Sequence, residues 1–164
     1  MIEIKYRIVL HDYDDFKGQN GFFQIKCHDF AYGDMYPSEI EHSMDTIDLY
    51  DWFERMLKIL FWLKTKDFVA LSDTESYNTW ITFSRINSNV ILGIRLAKKE
   101  NGIQAIEFQL HEPTMGEWID QTISYHQLRE EVLKKSRMYL NDLNNMNADH
   151  KYIEKLKKCM EEAM

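Results

Sequence analysis

The sequence predicts an α+β domain, in which an antiparallel sheet of about five to seven strands packs on a central helix. Two observations predict this class. Segments of alternating apolar and polar residues occupy the N-terminal part and the middle of the chain, and helical periodicity marks residues 46–65 and the last 40 residues. Strands and helices come in separate runs, which is typical of an antiparallel sheet rather than a parallel one.

The central helix is predicted from about residue 46 to residue 65. Asp45 is placed to cap its first turn, and the carboxylates of Asp48 and Asp51 suit the positive end of the helix dipole. Apolar residues recur at helical spacing and define the face that we expect to be buried: Leu49, Trp52, Phe53, Met56, Leu57, Leu60, Phe61 and Leu63.

Strands are predicted on both sides of this helix. Residues 2–10 and 22–28 alternate in polarity and should form an antiparallel hairpin with a long loop. After a short strand at 68–71, residues 79–86 and 90–97 form a second hairpin. Residues 103–111 should follow as a neighbouring strand with Ile106, Phe108 and Leu110 facing the core, and 117–123 as one more.

Two helices are predicted at the C-terminal end. Ser124 and Gln127 have the spacing of a capping box, and Ile123 and Leu128 stand at the flanking apolar positions. This helix should continue to about Asn144, and a last amphipathic helix should begin near Asp149.

Length and composition favour one globular domain over residues 1–164, because the chain is 45% hydrophobic and holds two prolines. Cys27 and Cys159 match neither a metal-ligand spacing nor a disulfide framework. The N-terminus alternates like a strand and lacks the features of a signal peptide, and the longest apolar run, Ile59 to Leu63, is too short to span a membrane. We therefore expect a cytoplasmic protein.

The charge is unevenly distributed along the chain. Residues 11–51 hold ten acids and two bases, a net charge of −8, whereas the rest holds 17 acids and 18 bases. A field of this sign repels nucleic acid and attracts a basic partner. The lysines and arginines of the C-terminal helices are balanced by acids, which does not favour a phosphate-binding surface.

No residue pattern predicts a catalytic or metal site. The six histidines lack ligand spacing, and Asp12, Asp14 and Asp15 lack the glycine and glutamate of a calcium loop. No nucleophile motif or phosphate-binding loop is present. We expect no cofactor and a protein that is not an enzyme, although an active site assembled from dispersed residues stays an alternative.

The predicted partner-binding site lies in the acidic stretch. Aromatic residues outside any periodic face could anchor a protein partner among carboxylates, or could fold back onto the sheet. The predicted site residues are Asp12, Tyr13, Asp14, Asp15, Phe16, Asp29, Tyr32, Asp34, Tyr36, Glu39 and Glu41.

The layout resembles that of immunity proteins encoded beside bacterial polymorphic or contact-dependent toxins. The residues that suggest it run from Asn20-Gly21-Phe22-Phe23 through Tyr36-Pro37 to the aspartate-rich helix, and from Trp80-Ile81-Thr82-Phe83 to Ile106-Glu107-Phe108. The resemblance implies a non-enzymatic cytoplasmic protein that neutralises a cognate basic toxin, such as a nuclease, by covering its active site. It assigns no functional residues.

Two other classes of function stay open from the sequence. The chain could be a structural or regulatory domain that works as a homo-oligomer, such as a homodimer, with the C-terminal helices as its interface. It could also be a small ligand-binding or enzymatic domain with a pocket between sheet and helix.

Overall fold

The computed structural model describes residues 1–164 and confirms the α+β class. Two antiparallel sheets, of four and six strands, accompany three α-helices, so the strands divide between two sheets instead of forming one. The chain forms two compact units, one of residues 1–58 and 130–164 and the other of residues 59–129. The prediction of a single domain stays a prediction.

The first unit contains the four-stranded sheet. Its strands are β1 (Ile2–Ile8), β2 (Asn20–Cys27), β3 (Phe30–Tyr32) and β4 (Ile47–Asp48). β1 pairs with β2 along its whole length, which confirms the predicted hairpin. β3 and β4 both pair with β2 on its other side, β3 at the Cys27 end and β4 at the Gly21 end. β1 is therefore an edge strand.

Helix α1 (Leu49–Trp62) supplies the core of this unit, and it begins three residues later than the sequence pattern suggested. The backbone N–H of Asp51 donates to the Asp48 carboxylate at 2.9 Å, so Asp48 and not Asp45 caps the helix. The Phe53 ring stacks on Tyr139, with ring centroids 4.5 Å apart, and meets Tyr6 and Phe23 edge-on. The predicted apolar face is buried except for Phe61, which is exposed.

The C-terminal helices are α2 (Tyr125–Asn145) and α3 (His150–Ala163). The capping box is confirmed, because Gln127 N–H donates to Ser124 Oγ at 3.0 Å and Ser124 N–H donates to Gln127 Oε1 at 3.1 Å. Asp149 caps α3 through the N–H of Lys151.

The second unit contains the six-stranded sheet. Its strands are β5 (Phe68–Ser72), β6 (Thr79–Ile86), β7 (Asn89–Leu96), β8 (Ile106–Glu107), β9 (Thr114–Met115) and β10 (Gln121–Ser124). They lie in the order β10-β7-β6-β5-β8, and β9 also pairs with β7.

The predicted strand at 103–111 is wrong. Only Ile106 and Glu107 are extended, and they pair with β5 rather than with β7, because β9 and β10 occupy the open side of β7. The Ser72 hydroxyl donates to the Ile103 carbonyl at 2.5 Å. Residues 103 and 104, just before β8, form a turn at this contact. The strand predicted at 117–123 is shorter than expected and runs over Gln121–Ser124.

None of the three helices combines the length and the apolar character that crossing a membrane requires.

Candidate protein-binding site

The predicted site residues lie at two separate ends of β2. Asp29 stands in the turn between β2 and β3, whereas residues 12–19 form the loop at the opposite end, where Gly21 pairs with Ile8 and Ile47. β2 is eight residues long, which separates its ends by roughly 23 Å at about 3.3 Å per residue. Asp29 therefore lies away from the loop carboxylates, and its assignment to a partner-binding site stays a prediction.

Asp14 is a structural residue of this loop. Its carboxylate accepts a hydrogen bond from the His11 N–H at 2.9 Å and another from the Asn20 side-chain amide at 2.7 Å. The two bonds tie the start of the loop to the start of β2. Asp14 is also only partly exposed, so its carboxylate holds the loop in shape and is not free to bind a partner.

Tyr13 is the exposed aromatic residue of the loop, with 74% of its surface accessible. Its ring stacks on the His11 imidazole, with centroids 4.7 Å apart and planes inclined by 10°. The other edge of that imidazole lies near the segment that precedes α1, where His11 Nε2 is 3.3 Å from the Thr46 hydroxyl. Tyr13 is thereby held in place without being buried.

Phe16 is buried and does not form a surface anchor, so for this residue the alternative that it folds back onto the protein core holds. Only 7% of its surface is exposed. The ring stacks on Tyr152 of α3 at 3.9 Å between centroids and meets Tyr50 of α1 edge-on at 5.5 Å. Phe16 therefore anchors the loop to the helices of the first unit.

The segment of residues 33–46 folds back against the sheet beside Phe22. The Phe22 ring packs edge-on against Tyr36, and Arg7 donates from its guanidinium to the Tyr36 carbonyl. Arg7 Nε also lies 2.9 Å from Glu41 Oε2. These contacts half-bury Tyr36, and Arg7 forms an ion pair with Glu41. Neither side chain is therefore the exposed, unpartnered group that the sequence suggested.

Two further carboxylates lie around the Tyr36 hydroxyl. Burial raises the pKa of Tyr36, and the negative charge and hydrogen bonding of Asp34 and then the charge of Asp45 raise that pKa further. The phenol therefore stays protonated near neutral pH and can donate a hydrogen bond. Tyr32, in contrast, is half-buried in β3 opposite Ile25.

The surface that remains is smaller than the predicted site and differs from it in composition. Asp48 caps α1, and Asp51 accepts from Arg55 Nε at 2.8 Å, so these two acids join Asp14 and Glu41 as partnered groups. Exposed carboxylates remain on the loop and on the segment of residues 33–46. We call these residues, together with Tyr13, the acidic surface: Asp12, Asp15, Asp34, Glu39 and Asp45.

Potential metal ligands and two thiols occur along the chain. No group of three or more histidine, cysteine, aspartate or glutamate side chains is placed to hold a metal ion. Both cysteines are buried and unpaired, and burial raises the pKa of Cys27 and of Cys159. A raised pKa keeps a thiol protonated and lowers its nucleophilicity.

The sequence reasoning missed three residues that shape this end of the molecule. Arg7 fixes the segment of residues 33–46, and His11 and Thr46 support Tyr13. The alternation of β1 places Arg7 on the face opposite the core, where an arginine beside an acidic stretch is a signal for an ion pair. Nothing in the local sequence identifies the His11–Thr46 contact, which joins residues 35 positions apart.

Comparison of the chain with protein-family models, with curated proteins and with solved structures finds no significant match.

Proposed function

We propose that the chain is a protein-binding domain whose acidic surface binds a basic protein, and that this partner is a toxin which the chain neutralises in the cytoplasm. The observation that carries the proposal is the concentration of charge without ion pairs on two segments of the first unit, the loop and residues 33–46, which the His11–Thr46 contact joins. Five exposed carboxylates stand on these segments, and no lysine or arginine forms an ion pair with any of them.

The charges and the aromatic residue would act at different stages of binding. Exposed carboxylates attract a basic protein over distances of about 10 Å at moderate salt, which speeds encounter. Tyr13 offers apolar area and a hydroxyl in a fixed orientation, because His11 and Thr46 hold its ring. A ring that is already held loses little conformational freedom on binding, which favours a long-lived complex.

A nuclease is the kind of toxin that this surface fits best. Nucleases bind phosphates with lysine and arginine side chains. The exposed carboxylates of this surface carry the same negative charge as phosphates and can bind those side chains in their place. The layout of the chain also resembles that of toxin-neutralising immunity proteins. The genetic neighbourhood is the first test: a gene for a large secreted toxin beside this one supports the proposal, and a metabolic operon contradicts it.

The binding test compares two variants that change the net charge equally. One replaces Asp12, Asp15 and Asp45 of the acidic surface with asparagine. The matched control replaces the exposed Glu75, Glu100 and Glu117 of the second unit with glutamine. Surface plasmon resonance against the toxin domain, at low and at moderate salt, measures the two rate constants. Circular dichroism confirms that each variant folds.

We expect the asparagine variant to associate about tenfold more slowly at low salt, with a weaker salt dependence, because rim charges act mainly on encounter. The control should associate like the wild type. Tyr13→Ala should instead raise the dissociation rate. Equal association rates for the two charge variants would place the interface elsewhere. No protection of cells that co-express the toxin and this chain would sink the proposal as a whole.

A further inference from the structure

The outer edge of β1 has backbone groups that no element of the chain pairs with. The Val9 N–H donates to the Asn20 carbonyl at 3.0 Å, so odd-numbered residues of this strand point their amides toward β2. The Ile4 N–H points the other way and donates to Glu131 of α2 at 2.8 Å. Because backbone direction alternates along a strand, the N–H groups of Tyr6 and Ile8 also point outward. No acceptor in the chain receives them.

An open groove of about 510 Å³ runs along this edge. Tyr6 and Ile8 of the strand edge line it, together with Met35 from the segment of residues 33–46, Met138 from α2 and Met146 just after α2. Methionine side chains adapt to different partners because they are flexible and polarizable. A groove lined by a strand edge and by adaptable apolar side chains fits an added β-strand.

The charge of the groove is opposite to that of the chain. Lys5, Arg7 and Lys135 line it with one carboxylate, Asp142, which accepts a 2.6 Å hydrogen bond from the Tyr6 hydroxyl. Arg7 is already paired with Glu41. The ammonium groups of Lys5 and Lys135 form only long ion pairs, 3.9 Å from Glu3 and Glu131, which is too far for a direct hydrogen bond. Lys5 can therefore meet an incoming acid, and Lys135 adds positive charge beside it.

We infer that this groove binds an extended acidic segment of a partner protein, which adds to the first sheet as a strand beside β1. The inference does not depend on the acidic surface. Residues opposite Tyr6 and Ile8 would point toward α2, where Met138 and Met146 favour apolar side chains. Residues opposite Lys5 and Arg7 would point to the other face, where acidic side chains fit. The expected motif therefore alternates apolar and acidic residues.

The same charges argue against a second copy of this chain as the occupant. An antiparallel pairing of two β1 edges through the free amides places Tyr6 opposite Ile4, Tyr6 or Ile8 of the other copy. In these registers Lys5 lies opposite Lys5 or Arg7, or Arg7 lies opposite Arg7. Like charges directly opposite each other destabilise a strand pair, and an edge lysine is a common protection against self-association.

The test uses three capped seven-residue peptides. The probe alternates valine and glutamate, a charge control alternates valine and lysine, and a backbone control carries proline at the centre of the probe. Proline has no N–H and cannot complete a ladder. Amide hydrogen exchange measured by NMR on the full chain should show that the valine–glutamate peptide slows exchange at Tyr6 and Ile8. Neither control peptide should slow exchange at these two amides. The exchange rate of the Ile4 amide, which is already bonded to Glu131, should change little with any of the peptides.

Charge-reversal variants give a second readout with a matched control. The pair Lys5→Glu and Lys135→Glu should weaken binding of the valine–glutamate peptide about tenfold or more, since two attractions become repulsions. The control pair Lys26→Glu and Lys134→Glu makes the same change in net charge outside the groove. The affinity of this control variant for the valine–glutamate peptide should stay within about twofold of the wild type.

Several results would overturn the inference. These are the absence of binding by the valine–glutamate peptide, binding without protection of Tyr6 and Ile8, and equal weakening in the two lysine pairs. A concentration-dependent dimer in sedimentation, with protection of these amides in the absence of peptide, would show that a second copy occupies the edge instead.

Discussion

Trp52 illustrates how a single side chain contributes to the first unit. Its ring stacks on Phe23 with 5.2 Å between centroids, the Arg55 guanidinium lies 5.2 Å from its centroid, and its Nε1–H is buried without an acceptor. The ring therefore stabilises the fold through packing, while the indole N–H opposes it, because a buried donor without a partner costs about 1–3 kcal/mol.

We predict that Trp52→Ala lowers the free energy of unfolding by about 3–5 kcal/mol, because it leaves a large cavity. Trp52→Phe keeps an aromatic ring against Phe23 and removes the unpaired N–H. The decrease in the free energy of unfolding should therefore be less than half of that for Trp52→Ala. Urea titration of both variants measures the difference. A phenylalanine variant as unstable as the alanine variant would show that the indole N–H has an acceptor in solution.

Asp14 offers a second test at the scale of single residues. In wild-type Asp14, one carboxylate oxygen accepts from the His11 N–H and the other accepts from the Asn20 amide. Asp14→Asn replaces one of these oxygens with an NH₂ group, which cannot accept a hydrogen bond, so one of the two bonds is lost. We expect a loss of about 1–2 kcal/mol in the free energy of unfolding. Asp15→Asn, at an exposed position of the same loop, should stay within about 0.5 kcal/mol of the wild type. Equal stability of the two variants in urea would contradict the structural role of Asp14.

Residues such as Asp14 and Phe16 show what sequence patterns cannot resolve in a loop. Local composition predicts a turn-rich, charged segment there, and that is correct. It does not tell which carboxylate is bonded inside the loop, or that the Phe16 ring lies on Tyr152, which is 136 positions away. Contacts of this kind depend on how distant elements pack, and no periodicity encodes them.

At the scale of elements, periodic patterns located the three helices, and the predicted capping box of Ser124 and Gln127, three positions apart, is present. The predicted cap of α1 was wrong, because Asp48 and not Asp45 accepts from the first turn. Strand pairing involves more distant residues; the two predicted hairpins are present, but the pairing predicted for one later strand was wrong. The segment after β7 was assigned to the neighbouring hairpin position, but Ile106 pairs with Leu71 on the far side of the sheet.

The start of α1 predicts a dependence of stability on pH. Burial raises the pKa of Asp48 above its ordinary value of 3.8, and this exceeds the lowering by its hydrogen bonds from the backbone of Asp51 and the side chain of Gln19. A group whose pKa is higher in the folded state stabilises the fold fully below the pKa of the unfolded state. That contribution is lost as the pH rises through the folded pKa.

We therefore predict that the free energy of unfolding of the wild type, minus that of Asp48→Asn, decreases as the pH rises above about 3.8. Denaturant titrations at a series of pH values, from acidic to neutral, measure this difference. A difference that grows with pH would mean that the hydrogen bonds to Asp48 outweigh its burial and that the pKa is lowered in the fold.

At the scale of the whole molecule, the chain returns to its first unit after building the second. The boundaries between the two units fall at residues 58 and 129, inside α1 and α2. Both helices are continuous across these positions, and no linker separates the units. The sequence carries the same information, since residues 46–65 and the segment after Ser124 have unbroken helical periodicity.

We predict that the two units unfold in one cooperative transition. If the second unit unfolded alone, α1 would keep ten of its fourteen residues and both helices would end without a cap. A ten-residue helix depends on its packing, and uncapped helix ends leave backbone groups unsatisfied. Trp52 lies in the first unit, and Trp62, Trp80 and Trp118 lie in the second. Fluorescence can therefore follow each unit separately, in a Trp52→Phe variant and in a variant with the other three tryptophans replaced by phenylalanine.

Within each variant, the midpoint of the fluorescence transition in urea should coincide with the midpoint of far-ultraviolet circular dichroism, which follows all helices and strands at once. Comparing the two signals within one variant removes the effect of the substitutions on stability. The calorimetric enthalpy of the wild type should also equal its van't Hoff enthalpy. A fluorescence transition that precedes the dichroism transition in only one of the two variants would identify that unit as an independent domain, and the prediction of a single domain would then be wrong.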